Sequence, residues 1–163
     1  MNPPREVFAS LPLEKRGAGI LLMCGGEVLL LLRNSRHNNS PWGLPGGNCD
    51  PEDASLRATA VREAQEEVGT LPPLRVVREC LTMRGKRNEK HYTVFVCHVE
   101  AAVRAAWTPV LNDEHREHRW LSLESVRLSS HGLAGGPPLH PVVVALVLQY
   151  PGVLQEAAAL ATT

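Results

Sequence analysis

From Gly43 to Gly69 the chain reads GLPGGNCDPEDASLRATAVREAQEEVG, a glycine- and proline-rich turn followed by a highly charged segment. Ser55 is suited to be a helix N-cap, and Gly69 is a typical residue for ending a helix. The stretch therefore predicts a loop and then a helix over Leu56–Val68. Its two faces differ in character, and that difference bears on function.

On a helix of roughly 100° per residue, small and apolar side chains collect on one side, where they suit close packing on a sheet: Ala60, Val61, Ala64 and Val68. Glu63 and Glu67 are four residues apart and stack on an adjacent face, with Glu66 one step round. Carboxylates crowded in this way repel one another. A hard divalent cation such as Mg²⁺ removes that repulsion, because carboxylate and phosphate oxygens are its usual ligands.

The residues beside the glutamates support a metal site. Gly46-Gly47 lets the backbone approach a metal or phosphate without a Cβ in the way, and a carbonyl there would add an oxygen ligand. Arg62 offsets part of the repulsion and holds one glutamate in orientation. The alternative is a solvated acidic helix face after an ordinary turn, which is the commoner outcome for a short charged motif.

The complete string resembles the box motif of the Nudix hydrolases. Arg62 to Gly69 matches the second half of the family pattern position for position, and Gly47 matches its leading glycine. The hairpin before the box and the Glu114…Trp120 segment are similar to the family's neighbouring strands, so the resemblance covers most of the chain. It implies a Nudix-type α/β/α sandwich with a mixed central sheet. It also implies a pyrophosphohydrolase acting on phosphorus-containing acid anhydrides.

This sequence departs from the family pattern at three places. The loop after Gly47 is one residue longer than the standard box, Asp53 stands near the family's first glutamate, and Thr70 replaces the final apolar residue. The insertion with an aspartate resembles the coenzyme A diphosphatase branch, although that branch's fuller upstream signature is absent. We expect the extra residue to be absorbed before Ser55, which leaves the helix register unbroken.

The resemblance implies roles for individual residues. The expected ligands of Mg²⁺, for which Mn²⁺ can substitute, are Glu63, Glu67, Glu66 and Gly47. The expected catalytic residues are Glu66, Glu114 and Arg62. A general base must take a proton from the attacking water, and Glu114 is the first candidate because its loop precedes the Trp120 strand. Glu66 and Glu117 are the alternatives.

Substrate contacts are expected around the box from five residues: Gly46, Arg33, Trp42, Arg84 and Lys86. Basic side chains bind phosphate, and a tryptophan can stack on a base. A solvated turn is the alternative for the basic loop Arg84–Lys90, and core packing is the alternative for Trp42 and for Tyr92. His115 and His118 are interpreted as surface polar residues rather than a zinc site, and His140 as helix-entry structure.

Outside the box, the sequence predicts further strands and one further helix. Gly25-Gly26 suits a tight hairpin. The expected strands are Gly19–Cys24, Val28–Arg33, Leu74–Met83, His91–Glu100 and His118–Leu121, and the expected helix is Pro141–Tyr150. Strands beside helices indicate a layered α/β arrangement. Residues 1–16 are expected to be a lead-in, and 17–163 a single domain.

Composition limits the classes of partner and compartment. The 17 basic and 17 acidic side chains cancel, so no global field attracts the chain to nucleic acid or to an anionic membrane. The four cysteines form no C-x-x-C pair, which favours free thiols in a reducing compartment. No apolar run is long enough to span a bilayer. We therefore expect a cytoplasmic protein whose partner is a small molecule; the oligomeric state stays open.

Three functional hypotheses follow. The first is a Mg²⁺-dependent hydrolase that cleaves the diphosphate linkage of a nucleoside diphosphate joined to another moiety. The second is a coenzyme A or dinucleoside polyphosphate diphosphatase with the same machinery. The third is a non-catalytic Nudix-like module that binds nucleotide or RNA, which gives no reason to keep three repelling carboxylates.

Overall fold

The computed structural model describes residues 11–34, 41–133 and 135–162. Within these residues, seven strands form one sheet: β1 (Arg16–Cys24), β2 (Glu27–Arg33), β3 (Trp42–Gly43), β4 (Gly46–Asn48), β5 (Arg75–Arg84), β6 (Lys90–His98) and β7 (His115–Ser122). The helices are α1 (Leu56–Val68), α2 (Ala101–Ala106), α3 (Leu123–Ser130), α4 (Pro141–Gln149) and α5 (Pro151–Ala158). A short 3₁₀ turn, Leu13–Lys15, precedes β1.

The sheet is mixed, as expected. Its main path runs β3-β2-β1-β6-β5, with β4 paired to β1 and β7 paired to β2. β1 and β6 are parallel, and the other pairings are antiparallel. Gly25, at a φ of 56°, makes the tight turn between β1 and β2, which confirms the predicted hairpin.

Helices cover both faces of the sheet, which confirms the α/β/α sandwich. Side chains alternate along β1, so that Leu21 and Met23 join one core while Ile20 and Leu22 join the other. The first core includes side chains of α3, α4 and α5: Val126, Val142, Val143, Leu146 and Leu154. The second core includes Ala60 and Ala64 of α1. The small residues of α1 therefore pack close to the sheet, as their periodicity predicts.

Helix α1 has the bounds that the sequence predicts. The Ser55 hydroxyl accepts a hydrogen bond from the Ala58 amide at 3.0 Å, and Gly69 ends the helix at a φ of 79°. The thirteen residues between them are continuous helix. The extra residue of the box therefore lies in the loop before Ser55, where the Asp53 amide bonds to the Asp50 carbonyl at 3.0 Å.

Two of the differences from the expected elements have causes visible in the structure. β7 begins at His115 rather than His118, because it pairs with β2 along its whole length, from Ser122 to His115. The predicted strand His91–Glu100 ends at His98, since Glu100 is already the N-cap position of α2. Helices α2, α3 and α5 were not predicted. Arg16, assigned to the lead-in, opens β1, and residues 1–10 and 35–40 lie outside the described part.

No single helix in the described ranges is long and apolar enough to cross a bilayer. The pair α4 and α5 passes that criterion only when its two helices are taken together, and they are bent by 87° at their junction.

Candidate active site

Strand β4 lies against the glutamate face of α1. The Gly46 amide donates a hydrogen bond to Glu67 Oε2 at 3.2 Å. A Cβ at Gly47 would lie 2.4 Å from the carboxyl carbon of Glu63. The two glycines therefore make room for the two carboxylates, and the stacked pair that the helix spacing predicts faces this strand.

The ladder between β1 and β4 decides which glycine carbonyl faces the glutamates. It is fixed by two backbone hydrogen bonds, from Ile20 N to Pro45 O at 2.9 Å and from Cys49 N to Arg16 O at 3.0 Å. Because bonded pairs alternate along an antiparallel ladder, Gly47 bonds to Ala18, and Gly46 directs its polar groups away from β1. Of the two glycine carbonyls, that of Gly47 is therefore engaged by β1, whereas that of Gly46 points to the side on which the Gly46 amide bonds to Glu67.

Arg62 is the centre of a hydrogen-bond network at the start of the site. Its Nε and Nη2 donate to the two oxygens of Asp53, both at 2.9 Å. Its Nη1 donates to Glu63 at 2.9 Å and, more weakly, to Glu66 at 3.4 Å. The two hydrogen bonds to Asp53 fix the guanidinium of Arg62. Arg62 can therefore orient Glu63, as expected.

Asp53 is a residue that the sequence did not single out for a role. Besides Arg62, its carboxylate accepts hydrogen bonds from the Thr59 hydroxyl at 2.7 Å and the Asp50 amide at 2.9 Å. The Arg62 hydrogen bonds, followed by those from Thr59 and Asp50, hold the pKa of Asp53 well below its ordinary value. Its place at the family's first glutamate is the signal that could have identified it.

Replacement of Asp53 by Asn is expected to lower the free energy of unfolding by about 1–3 kcal/mol, the usual range for a lost charged hydrogen bond. Arg62 would lose its fixed orientation, so kcat should fall as well. The measurements are urea unfolding and turnover, with Glu52→Gln, an exposed neighbour in the same loop, as the control. A variant as stable and as active as the control would show that Asp53 does not position Arg62.

Glu114 reaches the site through a loop fixed at both ends. The backbone N–H of Asn112 donates a hydrogen bond to the backbone carbonyl of Glu67 at 3.3 Å, which ties the loop to the end of α1. The backbone N–H of Asn34 donates a hydrogen bond to the backbone carbonyl of Glu114 at 2.7 Å, which ties the loop to the end of β2. Carboxylate oxygens of Glu67 and Glu114 and a ring nitrogen of His115 consequently lie within 4.8 Å of one another. The structure thus brings the predicted base beside the predicted ligand.

His115 was interpreted as a surface residue, and the structure contradicts this. It is partly buried, lines the same cleft as Glu67, and its Nδ1 lies 3.3 Å from Asn112 Oδ1. Burial lowers the pKa of His115 below its ordinary value. The local sequence showed only two histidines three residues apart, His115 and His118, and did not connect His115 with Glu67, because that approach depends on how the loop packs against α1.

Burial dominates the electrostatics of the two central glutamates. Glu67 is 5% exposed, and burial raises its pKa from 4.5 to about 8, assisted by the neighbouring charges of Glu114 and Glu63 and opposed by the Gly46 amide. Burial also raises the pKa of Glu63, although the hydrogen bond from Arg62 acts to lower it. Without a cation, the protein therefore holds a proton on Glu67 near neutral pH.

This raised pKa predicts how the stability of the metal-free protein depends on pH. Between about 4.5 and 8, folded Glu67 binds a proton that the unfolded chain releases. The contribution of Glu67 to the free energy of unfolding is therefore largest below pH 4.5 and is lost as the pH rises through about 8. Thermal unfolding in EDTA from pH 5 to 9 should show this loss in the wild type relative to Glu67→Gln. Parallel profiles for the two proteins would contradict it.

Basic and ring side chains share a cleft of about 350 Å³ with the carboxylates. Besides the glutamates, its lining includes Arg33, Arg84, Tyr92 and His140. Arg84 Nε is buried and has no hydrogen-bond partner within the described part of the chain, and burial lowers the pKa of Arg84. His140 caps α4, because its Nδ1 accepts from the Val142 amide at 3.1 Å, as the helix-entry interpretation predicts. Its place in the cleft was not expected.

Four other predicted site residues do not line this cleft: Trp42, Lys86, Glu66 and Glu117. Trp42 is 7% exposed in the core, and the Arg119 guanidinium covers its ring at 5.4 Å, so core packing replaces the expected stacking on a base. Lys86 lies in the exposed turn between β5 and β6, outside the cleft. Glu66 has a side chain 56% exposed, and Glu117 is paired with Arg119 at 2.7 Å.

A larger depression, of about 700 Å³, lies beside the first turn of α1 and the loop that precedes it. Arg16, Arg57 and Cys49 contribute to its lining, but none of the three glutamates of α1 does. The smaller cleft is therefore the one that combines glutamates of α1, Glu63 and Glu67, with basic side chains.

The sequence matches the NUDIX domain family over residues 13–141. This chain therefore belongs to the Nudix family. Among its relatives, the Nudix hydrolase NudL of Yersinia enterocolitica is 49% identical over 53 residues, which cover 30% of this chain and 27% of NudL. The chain covers about a third or less of the length of the relatives that it matches first.

Two solved structures illustrate the fold. An ADP-ribose pyrophosphatase from Streptococcus suis is similar with a TM-score of 0.60 and 19% identity, over 90% of this chain and 93% of that one. An Ap4A hydrolase from C. elegans is similar with a TM-score of 0.57 and 19% identity, over 88% of this chain and 96% of that one. At this identity the likeness supports the shared fold.

Proposed function

We propose that this protein is a Mg²⁺-dependent pyrophosphohydrolase that cleaves the diphosphate linkage of a nucleoside diphosphate joined to another group. The observation that carries the proposal is Glu67, a carboxylate that is 5% exposed and lies within 4.8 Å of a second carboxylate, Glu114. Burying a charge without a partner is costly. A divalent cation supplies the missing partner, and the family match supplies the chemistry that it serves.

The oxygen donors fit a hard cation. Glu67 and Glu63 provide carboxylates, and Gly46 provides the carbonyl that the β1 ladder leaves free. Mg²⁺ prefers such oxygen ligands and, when bound, polarises phosphoryl oxygens and acidifies water. Arg62, held by Asp53, keeps Glu63 in place, and Glu114 stands where it can take the proton of the attacking water.

The basic side chains of the cleft support the same substrate class. Arg84 presents a buried guanidinium Nε that has no hydrogen-bond partner among the residues that the structure describes, and Arg33 lines the same cleft. Guanidinium groups bind phosphate through charge-assisted hydrogen bonds. A diphosphate bound in the cleft would place some of its oxygens on a metal and others on the arginines.

The group joined to the nucleoside diphosphate is proposed at the level of a class. The similar structures are described as an ADP-ribose pyrophosphatase and an Ap4A hydrolase, which supports nucleotide diphosphates in general. The aspartate in the extended box loop supports coenzyme A or dinucleoside polyphosphates as the alternative. A non-catalytic nucleotide- or RNA-binding module is disfavoured by the buried Glu67 and by the zero net charge.

A panel of substrates tests the proposal. ADP-ribose, nucleotide sugars, Ap4A, coenzyme A and 8-oxo-nucleoside triphosphates would be incubated with the protein in Mg²⁺ or in EDTA, and the phosphate products quantified. We expect Mg²⁺-dependent cleavage within the diphosphate bridge of at least one compound. Nucleotide binding without cleavage of any compound would replace the proposal by the binding module.

The identity of the general base gives a further prediction. Glu114→Gln should lower kcat by roughly 10²–10⁴-fold, the usual contribution of a general base, and leave Mg²⁺ affinity nearly unchanged. Glu66→Gln should disturb both quantities if Glu66 shares the metal. Turnover against pH and Mg²⁺ concentration separates the two variants, with Glu117→Gln as the control because Glu117 is paired with Arg119. Wild-type rates for Glu114→Gln would transfer the role to Glu66 or Glu117.

A further inference from the structure

His115 brings a nitrogen donor to a site whose other donors are oxygens. A ring nitrogen of His115 lies within 4.8 Å of carboxylate oxygens of both Glu67 and Glu114. Backbone pairing with Arg33, next to an irregularity in the β2–β7 ladder, fixes the start of β7 where His115 stands. The ring is partly buried and lines the cleft. Its position is therefore set by the loop and the sheet together.

The neighbouring asparagine determines which ring nitrogen is available. Asn112 Oδ1 accepts a hydrogen bond from the Glu114 amide at 3.2 Å, so this atom is an acceptor. His115 Nδ1, at 3.3 Å from the same oxygen, must donate to it. Nε2 then keeps its lone pair. Metal-binding histidines commonly have their second nitrogen fixed by such an acceptor.

We propose that His115 is a nitrogen ligand of the divalent cation held by Glu67, and that it shifts the preference of this site from Mg²⁺ towards Mn²⁺. The inference rests on the proposed function, since it concerns the same metal. Mg²⁺ prefers an all-oxygen octahedral shell, whereas Mn²⁺ combines an affinity for carboxylate oxygens with the ability of a first-row transition metal to bind imidazole nitrogen.

The test is pulsed electron paramagnetic resonance of Mn²⁺ bound to the complete protein. The wild type should show electron spin echo modulation from a directly coordinated imidazole nitrogen. His115→Gln should lose this modulation and bind Mn²⁺ at least roughly 10-fold more weakly, with a smaller change in Mg²⁺ affinity. His118→Gln is the matched control, because His118 lies three residues further along β7 and outside the cleft.

The outcomes separate the inference from the proposed function. If Mn²⁺ binds in a manner that requires Glu67 but shows no nitrogen modulation in the wild type, the inference is overturned and the oxygen site stands. An unchanged ratio of Mn²⁺ to Mg²⁺ affinity in His115→Gln would also overturn it. If neither metal binds the wild type, the proposed function itself fails. The wild-type spectrum does not depend on whether the variant folds.

Discussion

Glu67→Gln is expected to reduce kcat by roughly 10³-fold or more, since metal stabilisation of phosphoryl transfer amounts to several kcal/mol and each 1.36 kcal/mol is tenfold in rate. The substitution keeps the shape of the side chain and removes the charge that binds the cation. Mg²⁺ should then no longer raise the melting temperature. The metal-free variant should be more stable than the wild type at pH 9, because it has no buried carboxylate to ionise.

Turnover and melting temperatures, each with Mg²⁺ and with EDTA, measure these effects. Glu124→Gln is the matched control, since the Glu124 side chain is 66% exposed on α3 and far from α1 in sequence. Near-normal turnover of Glu67→Gln on the best substrate would show that the metal site has been assigned to the wrong residue. Lost turnover with an intact Mg²⁺ response would instead limit Glu67 to a role after metal binding.

Alanine at Gly46 and alanine at Gly47 are expected to damage the protein in different ways. At Gly46 the new Cβ would meet the backbone, 2.6 Å from both the Ala18 carbonyl oxygen and the Gly19 Cα. Backbone cannot move aside, so the free energy of unfolding should fall by about 3 kcal/mol or more. At Gly47 the Cβ would meet the carboxyl group of Glu63, which is the mobile end of a side chain.

Gly47→Ala should therefore remain folded but displace Glu63. Because a misplacement of about 1 Å in a catalytic arrangement costs roughly 10²-fold in rate, kcat should fall by that amount while the urea midpoint changes little. Gly26→Ala is the control for both variants, since, apart from Gly26 and its chain neighbours, no atom of the described residues lies within 4 Å of the added Cβ. If Gly47→Ala unfolded as readily as Gly46→Ala, the contact between Gly47 and Glu63 would be structural rather than functional.

Short-range physics explains what could be predicted from the sequence. The bounds of α1 follow from Ser55, which caps its first turn, and from Gly69, which adopts the positive φ that ends it. The stacking of Glu63 and Glu67 follows from the helical period alone. The Gly25-Gly26 turn and the proline at the start of α4 were predictable for the same reason, since each acts within a few residues of itself.

Contacts between distant segments were decided only by the tertiary structure. Glu114 and His115 reach Glu67 because loop backbone bonds tie them to the ends of α1 and β2, across about fifty residues in one case and eighty in the other. Trp42 was expected beside a substrate base, yet the core and Arg119 cover it.

The difference between the carbonyls of Gly46 and Gly47 has a similar origin. The composition of the loop shows that two glycines are present, but the pairing of β4 with β1 determines which one keeps a free oxygen. The sequence by itself thus determined the helix, its carboxylates and its family. Which groups surround those carboxylates depended on strand register and loop closure, because these arise from pairing between segments that no local pattern encodes.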